Sequence, residues 1–269
     1  MLSRTLRPVA SQLPLRVALL TTSRAPGLSY LLEQDPERGR LYDIVAGIAS
    51  DPESEALGQL RQAGIPALSH DLRAFCSARG GKWTDLALRR QYDTLTVRLL
   101  EAHRPGLIVL CGYLHIVTEP LLAAYPTALI NVHDADLLVA GSEGGPRFRG
   151  LHSTYDALAE GRDETRSTVH LVAADVDAGP PLVRSWGFPS HPLVADARRW
   201  NAAKILKAYA FAQREWMMRS AWGPLLARAL RRFALGQVRV LDGRAVIAGR
   251  LGPEELRRES PPVLRAAEA

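Results

Sequence analysis

Short apolar runs rich in β-branched and aliphatic residues, each bounded by turn-forming residues, recur at 16–21, 43–49, 106–111, 128–133, 168–172 and 181–186. Their length and composition predict buried β-strands. Between them, apolar positions return at helical spacing over 28–34, 54–63, 84–103 and 153–160. In the longest of these, Leu88, Tyr92, Leu95 and Leu99 share a stripe behind Thr84, read as the cap, and Arg104-Pro105-Gly106 closes the segment. Strands that alternate with helices pair in parallel through crossovers. The expected fold is therefore an α/β, doubly wound, mostly parallel sheet of Rossmann type.

Beyond Val194 the pattern turns helical, with Ile205, Tyr209, Ala212 and Trp216 on one stripe. Gly223-Pro224 predicts a break, followed by a second helix to about Ala234. The apolar stretches around Asp242-Gly243 predict a small hairpin over 237–248, since Asp-Gly is a favoured tight-turn pair. Residues 1–15 are expected as a flexible lead-in, 16–250 as one catalytic domain, and 251–269 as a loose C-terminal tail. Arg4, Arg7, Arg16 and Arg24 precede the first acidic residue, Glu33, yet a lead-in before the first strand accounts for this better than a transit segment.

Composition narrows the classes. In these 269 residues no apolar run approaches the ~20 needed to span a bilayer, so a protein with no membrane partner is expected. Cys76 and Cys111, the only cysteines, fit neither a zinc site nor a disulfide framework, which points to a reducing, cytoplasmic setting without a metal. The net charge of +6 is uneven, with nine Lys/Arg against the single acid Glu215 between Arg198 and Arg232. Such a stretch can neutralise phosphates. It is read as a solvated helix face, and nucleic acid is not expected as a partner.

Two polar residues leave the apolar run 128–133 together. Side chains alternate along a strand, so Asn131 and His133 point one way and Val132 the other. In a doubly wound sheet, ligands bind outside the carboxyl ends of the strands, which is where this pair lies. An amide donor, an imidazole and a carboxylate are the parts needed to add an amine to a carbonyl. From spacing alone Asp134, Asp175 and Asp177 are equal candidates for the carboxylate.

The ordered set Val109-Leu-Cys-Gly-Tyr-Leu-His-Ile-Val117, Asn131-Val-His133, Gly150-Leu-His152, Thr168-Val-His170 and Asp177-Ala-Gly-Pro180 resembles the folate-dependent formyltransferases, and their glycinamide ribonucleotide branch most. The resemblance spans roughly residues 16–247. It implies a formyltransferase-like Rossmann-type domain that passes a formyl group from 10-formyltetrahydrofolate, a co-substrate, to a primary amine on a small, phosphorylated molecule. It also implies Asn131, His133 and Asp177 as the catalytic trio. Leu114, His115, Ile116 and Val117, with Val172, Ala173, Asp175 and Gly179 on the opposite wall, match the folate pocket. His152 and His170 are supporting residues. By the same matching, Ser23, Arg24, Gly27 and Ser29 occupy the phosphate loop.

Two segments depart from the resemblance. The branch usually carries a Gly-Asn-Gly-Ser-Asn type loop whose backbone N–H groups close on the ribotide phosphate. Here the loop is Thr21-Thr-Ser-Arg-Ala-Pro-Gly-Leu-Ser29, and Pro26 removes a donor. After His133 a longer glycine-rich loop, 134–149, replaces a short Pro-containing turn, and its length suggests a lid over the acceptor. Glycinamide ribonucleotide is the default acceptor. The alternatives are another amine (an amino sugar nucleotide or methionyl-tRNA), a formyltetrahydrofolate deformylase, or a noncatalytic folate-binding homologue.

Overall fold

The structure, a computed structural model, describes residues 13–142 and 144–258. Of the expected lead-in, residues 1–12 lie outside the described residues, as do residues 259–269 of the expected tail. The chain opens with β1 (Leu15–Thr21), α1 (Leu28–Glu33), β2 (Tyr42–Ala49), α2 (Glu55–Gln62) and β3 (Ala67–Ser69). Next come α3 (Leu72–Ser77), α4 (Leu86–Glu101), β4 (Leu107–Leu110), α5 (Glu119–Ala124) and β5 (Leu129–His133). The second half adds α6 (Ser153–Ala159), β6 (Glu164–Thr165), β7 (Thr168–Leu171), β8 (Pro181–Arg184), β9 (Phe188–Pro189), α7 (Leu193–Arg199) and α8 (Ala203–Ala234). The strands β10 (Val238–Leu241), β11 (Arg244–Ile247), β12 (Arg250–Leu251) and β13 (Glu254–Glu255) follow.

An eight-stranded sheet in the order β13-β8-β7-β5-β4-β1-β2-β3 forms the centre. The pairings from β3 through β5 are parallel, whereas β5–β7 and β7–β8 are antiparallel. This is the mostly parallel doubly wound sheet expected. Strand alternation divides the core into two layers. Val17, Leu19, Val109, Ile130 and Val132 face α1 and α8, and Ala18, Leu20, Ile108, Leu110 and Leu129 face α4 and α5. Val132 thus turns into the layer opposite Asn131 and His133.

Four local expectations differ. Asp85, not Thr84, caps α4, because its carboxylate accepts from the Ala87 and Leu88 N–H groups at 2.8 and 3.3 Å. The short elements β3, α3 and α5 carry too few residues for a periodic signal. Glu254 and Glu255, within the expected tail, pair in parallel with β8 and bind Arg232 and Arg184. Pro224 does not break the C-terminal helix, since α8 runs unbroken through it. An internal proline costs about 3 kcal/mol. Burial of Met217, Met218, Trp222, Leu225, Leu226, Leu230 and Phe233 at roughly 1.5–3 kcal/mol each outweighs it. The hairpin expectation holds: Leu241 pairs with Arg244 across Asp242-Gly243, whose positive φ values of 48° and 74° suit a tight turn.

The first strand-to-helix turn meets α8 backbone to backbone. Gly27 has φ 90°, and a Cβ there would lie 2.8 Å from the Gly223 nitrogen. A Cβ on Gly223 would lie 2.4 Å from the Tyr30 Cβ. Gly223→Ala should therefore destabilise the fold by about 1–3 kcal/mol through overpacking, despite alanine's better helix propensity. Urea unfolding checks this, and an unchanged midpoint would contradict the close packing.

Candidate active site

The parallel strands β1, β4 and β5 end at one edge, and the loops leaving them surround a cleft of about 260 Å3. Asn131, His133 and Asp177 all line it. The pairing of β5 with β7 sets Asn131 opposite His170 and His133 opposite Thr168. The Asn131 amide nitrogen accordingly lies 3.2 Å from His170 Nε2. His170 Nδ1 lies 2.8 Å from the Leu171 carbonyl oxygen, an acceptor, so Nδ1 carries a proton. His170 Nε2 also lies 3.5 Å from Asp177 Oδ1, so it stands between the Asn131 amide and the Asp177 carboxylate.

His133 is 6 % exposed. Its Nε2 lies 3.2 Å from the Phe148 carbonyl oxygen, and its Nδ1 lies 3.5 Å from Asp177 Oδ2 and 3.7 Å from Asp134 Oδ1. All three neighbours are acceptors. Asp177 reaches the ring from the β7–β8 loop in a left-handed conformation, φ 52°. That loop folds back so closely that a Cβ on Gly179 would lie 1.8 Å from the Leu171 carbonyl oxygen. Burial works to raise the Asp177 carboxyl, but a hydrogen bond from His170, the charge of His133 and the Gly150 N–H at 2.8 Å hold it down to about 2. At neutral pH Asp177 is ionised.

Leu114, His115, Ile116, Val117, Val172 and Ala173 line the cleft, whereas Asp175 and Gly179 do not. The loop after β4 is anchored from below. Arg89, 2 % exposed, donates to the Ile116 carbonyl at 2.6 Å, and Asp93 accepts from Thr118 N–H and hydroxyl at 2.7 and 2.6 Å. The apolar rim residues Leu114, Ile116 and Val176 stay exposed. Burial, with the nearby Arg89 and Arg73 guanidiniums, lowers His115 to about 4. Among the described residues, no group of His, Cys, Asp or Glu is arranged to hold a metal ion.

On the other side, Ser23 and Arg24 line the cleft, while Gly27 is spent on the α8 contact and Ser29 is exposed on α1. Arg24 is paired with Glu215 of α8, 2.7 Å from Nη2 and 3.4 Å from Nη1. His170 lines the cleft, and His152 lies outside it as the N-cap of α6. Phe148, near the end of the inserted loop, is buried against Ala135 and Ala157, which anchors that end. Arg214, Met218 and Trp222 of α8, together with Tyr113 and Asp134, complete the wall. Arg214 was one of nine bases in a helical stretch, and nothing in the sequence distinguished it from the others.

Fold and cleft together define a doubly wound α/β protein with an amide, an imidazole and an ionised carboxylate gathered at the carboxyl ends of its strands. The chain belongs to the formyl transferase family, whose model matches residues 15–186. It is 32% identical over 188 residues to the trifunctional purine biosynthetic protein adenosine-3 of Drosophila melanogaster, covering 68% of this chain and 12% of that protein. It is 29% identical over 171 residues to the phosphoribosylglycinamide formyltransferase of Mycobacterium tuberculosis (strain ATCC 25618 / H37Rv), covering 64% of this chain and 70% of that one. The crystal structure of glycinamide ribonucleotide transformylase 1 from Symbiobacterium toebii superposes with a TM-score of 0.64 at 26% identity, over 87% of this chain and 93% of that one.

The lowered His115 has a consequence for stability. An unfolded histidine takes up its proton near pH 6.5, whereas His115 in the fold resists until about pH 4. The unfolded chain thus binds more protons between these values. The His115 contribution to stability is therefore level above about 6.5 and falls as pH drops toward 4. His70, lowered to about 4 by burial and then by Arg79 and Arg89, acts in the same direction. His115→Gln should lose less stability than the wild type between about pH 7 and about pH 5 in urea unfolding. Equal losses would show that His115 is free to protonate in the fold.

Proposed function

We propose that the protein transfers the formyl group of 10-formyltetrahydrofolate to a primary amine, as an enzyme of purine biosynthesis. The carrying observation is the convergence of Asn131, His133 and Asp177 in one cleft of a formyl transferase family member. Glycinamide ribonucleotide, named in the matched Symbiobacterium toebii structure, is the acceptor of this reading. The partner is therefore a small phosphorylated amine, and the setting is cytoplasmic. No helix among the described residues is long and apolar enough to cross a membrane.

The residues present fit the donor. The backbone of 114–117 and the wall at Val172 and Ala173 would hold a flat heteroaromatic ring, and the exposed Leu114, Ile116 and Val176 offer apolar surface for it to cover. The folate supplies an activated formyl carbonyl when bound. Amine addition to a formyl carbonyl turns its oxygen into an oxyanion, and the Asn131 amide N–H and a His133 N–H are the donors that would stabilise it. Asp177, ionised and 3.5 Å from His133 Nδ1, orients the imidazole. The amine must also lose a proton, which the His133–Asp177 pair is placed to accept and would return to the folate nitrogen as the oxyanion collapses and the bond from that nitrogen to the formyl carbon breaks.

One observation favours a second reading, in which the acceptor is a different amine. Arg24, which would supply charge to the phosphate loop, is tied to Glu215, and Gly27 and Ser29 lie outside the cleft. Loss of formyl folate, followed spectroscopically, separates the readings. Turnover with glycinamide ribonucleotide supports the first, turnover only with another amine the second, and turnover in water alone would replace both with hydrolysis. His133→Ala and Asp177→Asn should each cut turnover on the order of a hundredfold or more with the fold intact by circular dichroism. Near-normal activity in either would overturn the assigned roles.

A further inference from the structure

Asp134 is a second carboxylate at the same imidazole. Strand alternation would turn it away from His133, but β5 ends at His133 and the chain bends there. Asp134 is 5 % exposed. Its Oδ2 accepts from the Thr154 hydroxyl at 3.0 Å and from Arg214 Nε at 2.5 Å, and its Oδ1 lies 3.4 Å from the Ser153 hydroxyl. Oδ1 is also the oxygen 3.7 Å from His133 Nδ1, the nitrogen that faces Asp177 Oδ2 at 3.5 Å. Asp134 and Arg214 both line the cleft.

A buried carboxylate needs a counter-charge and hydrogen-bond donors, and Arg214 with the two hydroxyls meets that need. Satisfaction alone does not explain why Oδ1, the less saturated oxygen, is turned to the imidazole. The titratable and charged groups around His133 are Asp134, Asp177 from the β7–β8 loop, His170 from β7 at a ring-centroid distance of 6.5 Å, and Arg214 from α8 through Asp134. Two carboxylates from different elements restrict rotation of the ring more than one.

We propose that Asp134, with Arg214 as its counter-ion, is a positioning residue that shares His133 Nδ1 with Asp177 and couples α8 to the imidazole. The proposal rests on the formyl-transfer reading for its kinetic consequence but not for its electrostatic one. Because Asp177 remains, removing Asp134 costs less than removing Asp177. Asp134→Asn should lower kcat by roughly tenfold and leave KM for the formyl donor unchanged, while Arg214→Lys should retain more of kcat than Arg214→Met.

Long-range 1H–15N spectra of the full chain, with His133 assigned through His133→Gln, read the electrostatic part without any substrate. Asp134→Asn removes a negative charge beside Nδ1, and Arg214→Met leaves that charge uncompensated. The two variants should displace the Nδ1 resonance in opposite directions at fixed pH. The proposal is overturned if either leaves the resonance in place, or if both move it the same way. Should Asp134→Asn fail to fold, Arg214→Met must displace the resonance and Arg214→Lys must largely restore it, and any other result overturns the coupling. Opposite displacements without turnover on any amine would uphold the coupling and remove the functional reading instead.

Discussion

The cleft depends on one strand pairing, the antiparallel seat of β7 on β5. It places His170 beside Asn131 and Thr168 beside His133. The Thr168 hydroxyl then donates to the Ala135 carbonyl at 2.7 Å and accepts from the Leu137 N–H at 3.3 Å, holding the bend that brings Asp134 round. The intervening pairs, Ile130 with Leu171 and Val132 with Val169, are buried in the α8-side core. A slip of one residue would send these apolar side chains to the cleft and the polar ones to the core. The hydrophobic layer therefore fixes the register, and the register fixes the distances between the polar groups.

The helix α8 ties that layer to the cleft. Its buried residues from Met217 to Phe233 pack under the sheet, and Trp222 Nε1 donates to the Ser167 hydroxyl at 3.0 Å, just ahead of β7. Arg214, Met218 and Trp222 reach the cleft from the same helix. The glycine contact between Gly27 and Gly223 sets how near α1 comes to α8, and so how near Arg24 comes to Glu215. A side chain at either glycine would act on the far wall of the cleft as well as on the core.

Much of this was legible in the sequence because strands and their side-chain alternation are local properties. The six apolar runs correspond to β1, β2, β4, β5, β7 and β8, and the shared direction of Asn131 and His133 follows from a period of two. What was not legible depends on distant partners. Asp134 faces His133 because Thr154, Thr168 and Arg214 hold it there, residues 20, 34 and 80 positions away in the chain. Pro224 stays helical because the turns around it, 221–230, are buried on nearly every side, a fact no local propensity carries. Asp85 and Thr84 are both good caps, and only the coordinates of the first turn choose between them.

The two walls of the cleft obey different physics. The wall formed by 114–117 and 172–173 is built from backbone and apolar side chains over the buried Arg89–Asp93 pair, so it recognises shape and tolerates substitution at the surface. The α8 wall is built from charge: Arg214 and Glu215, adjacent and opposite in sign, engage Asp134 and Arg24 respectively. An anionic ligand entering there must compete with two ion pairs already made, one on the exposed Arg24 and one on the buried Asp134. Displacing either pair changes the charge next to His133 or the position of the β1–α1 turn. Under the proposed formyl-transfer reading, the α8 wall is thus the part of the molecule where a few substitutions would alter which amine enters, while Asn131, His133 and Asp177 keep the geometry that β5, β7 and the loop after β7 impose.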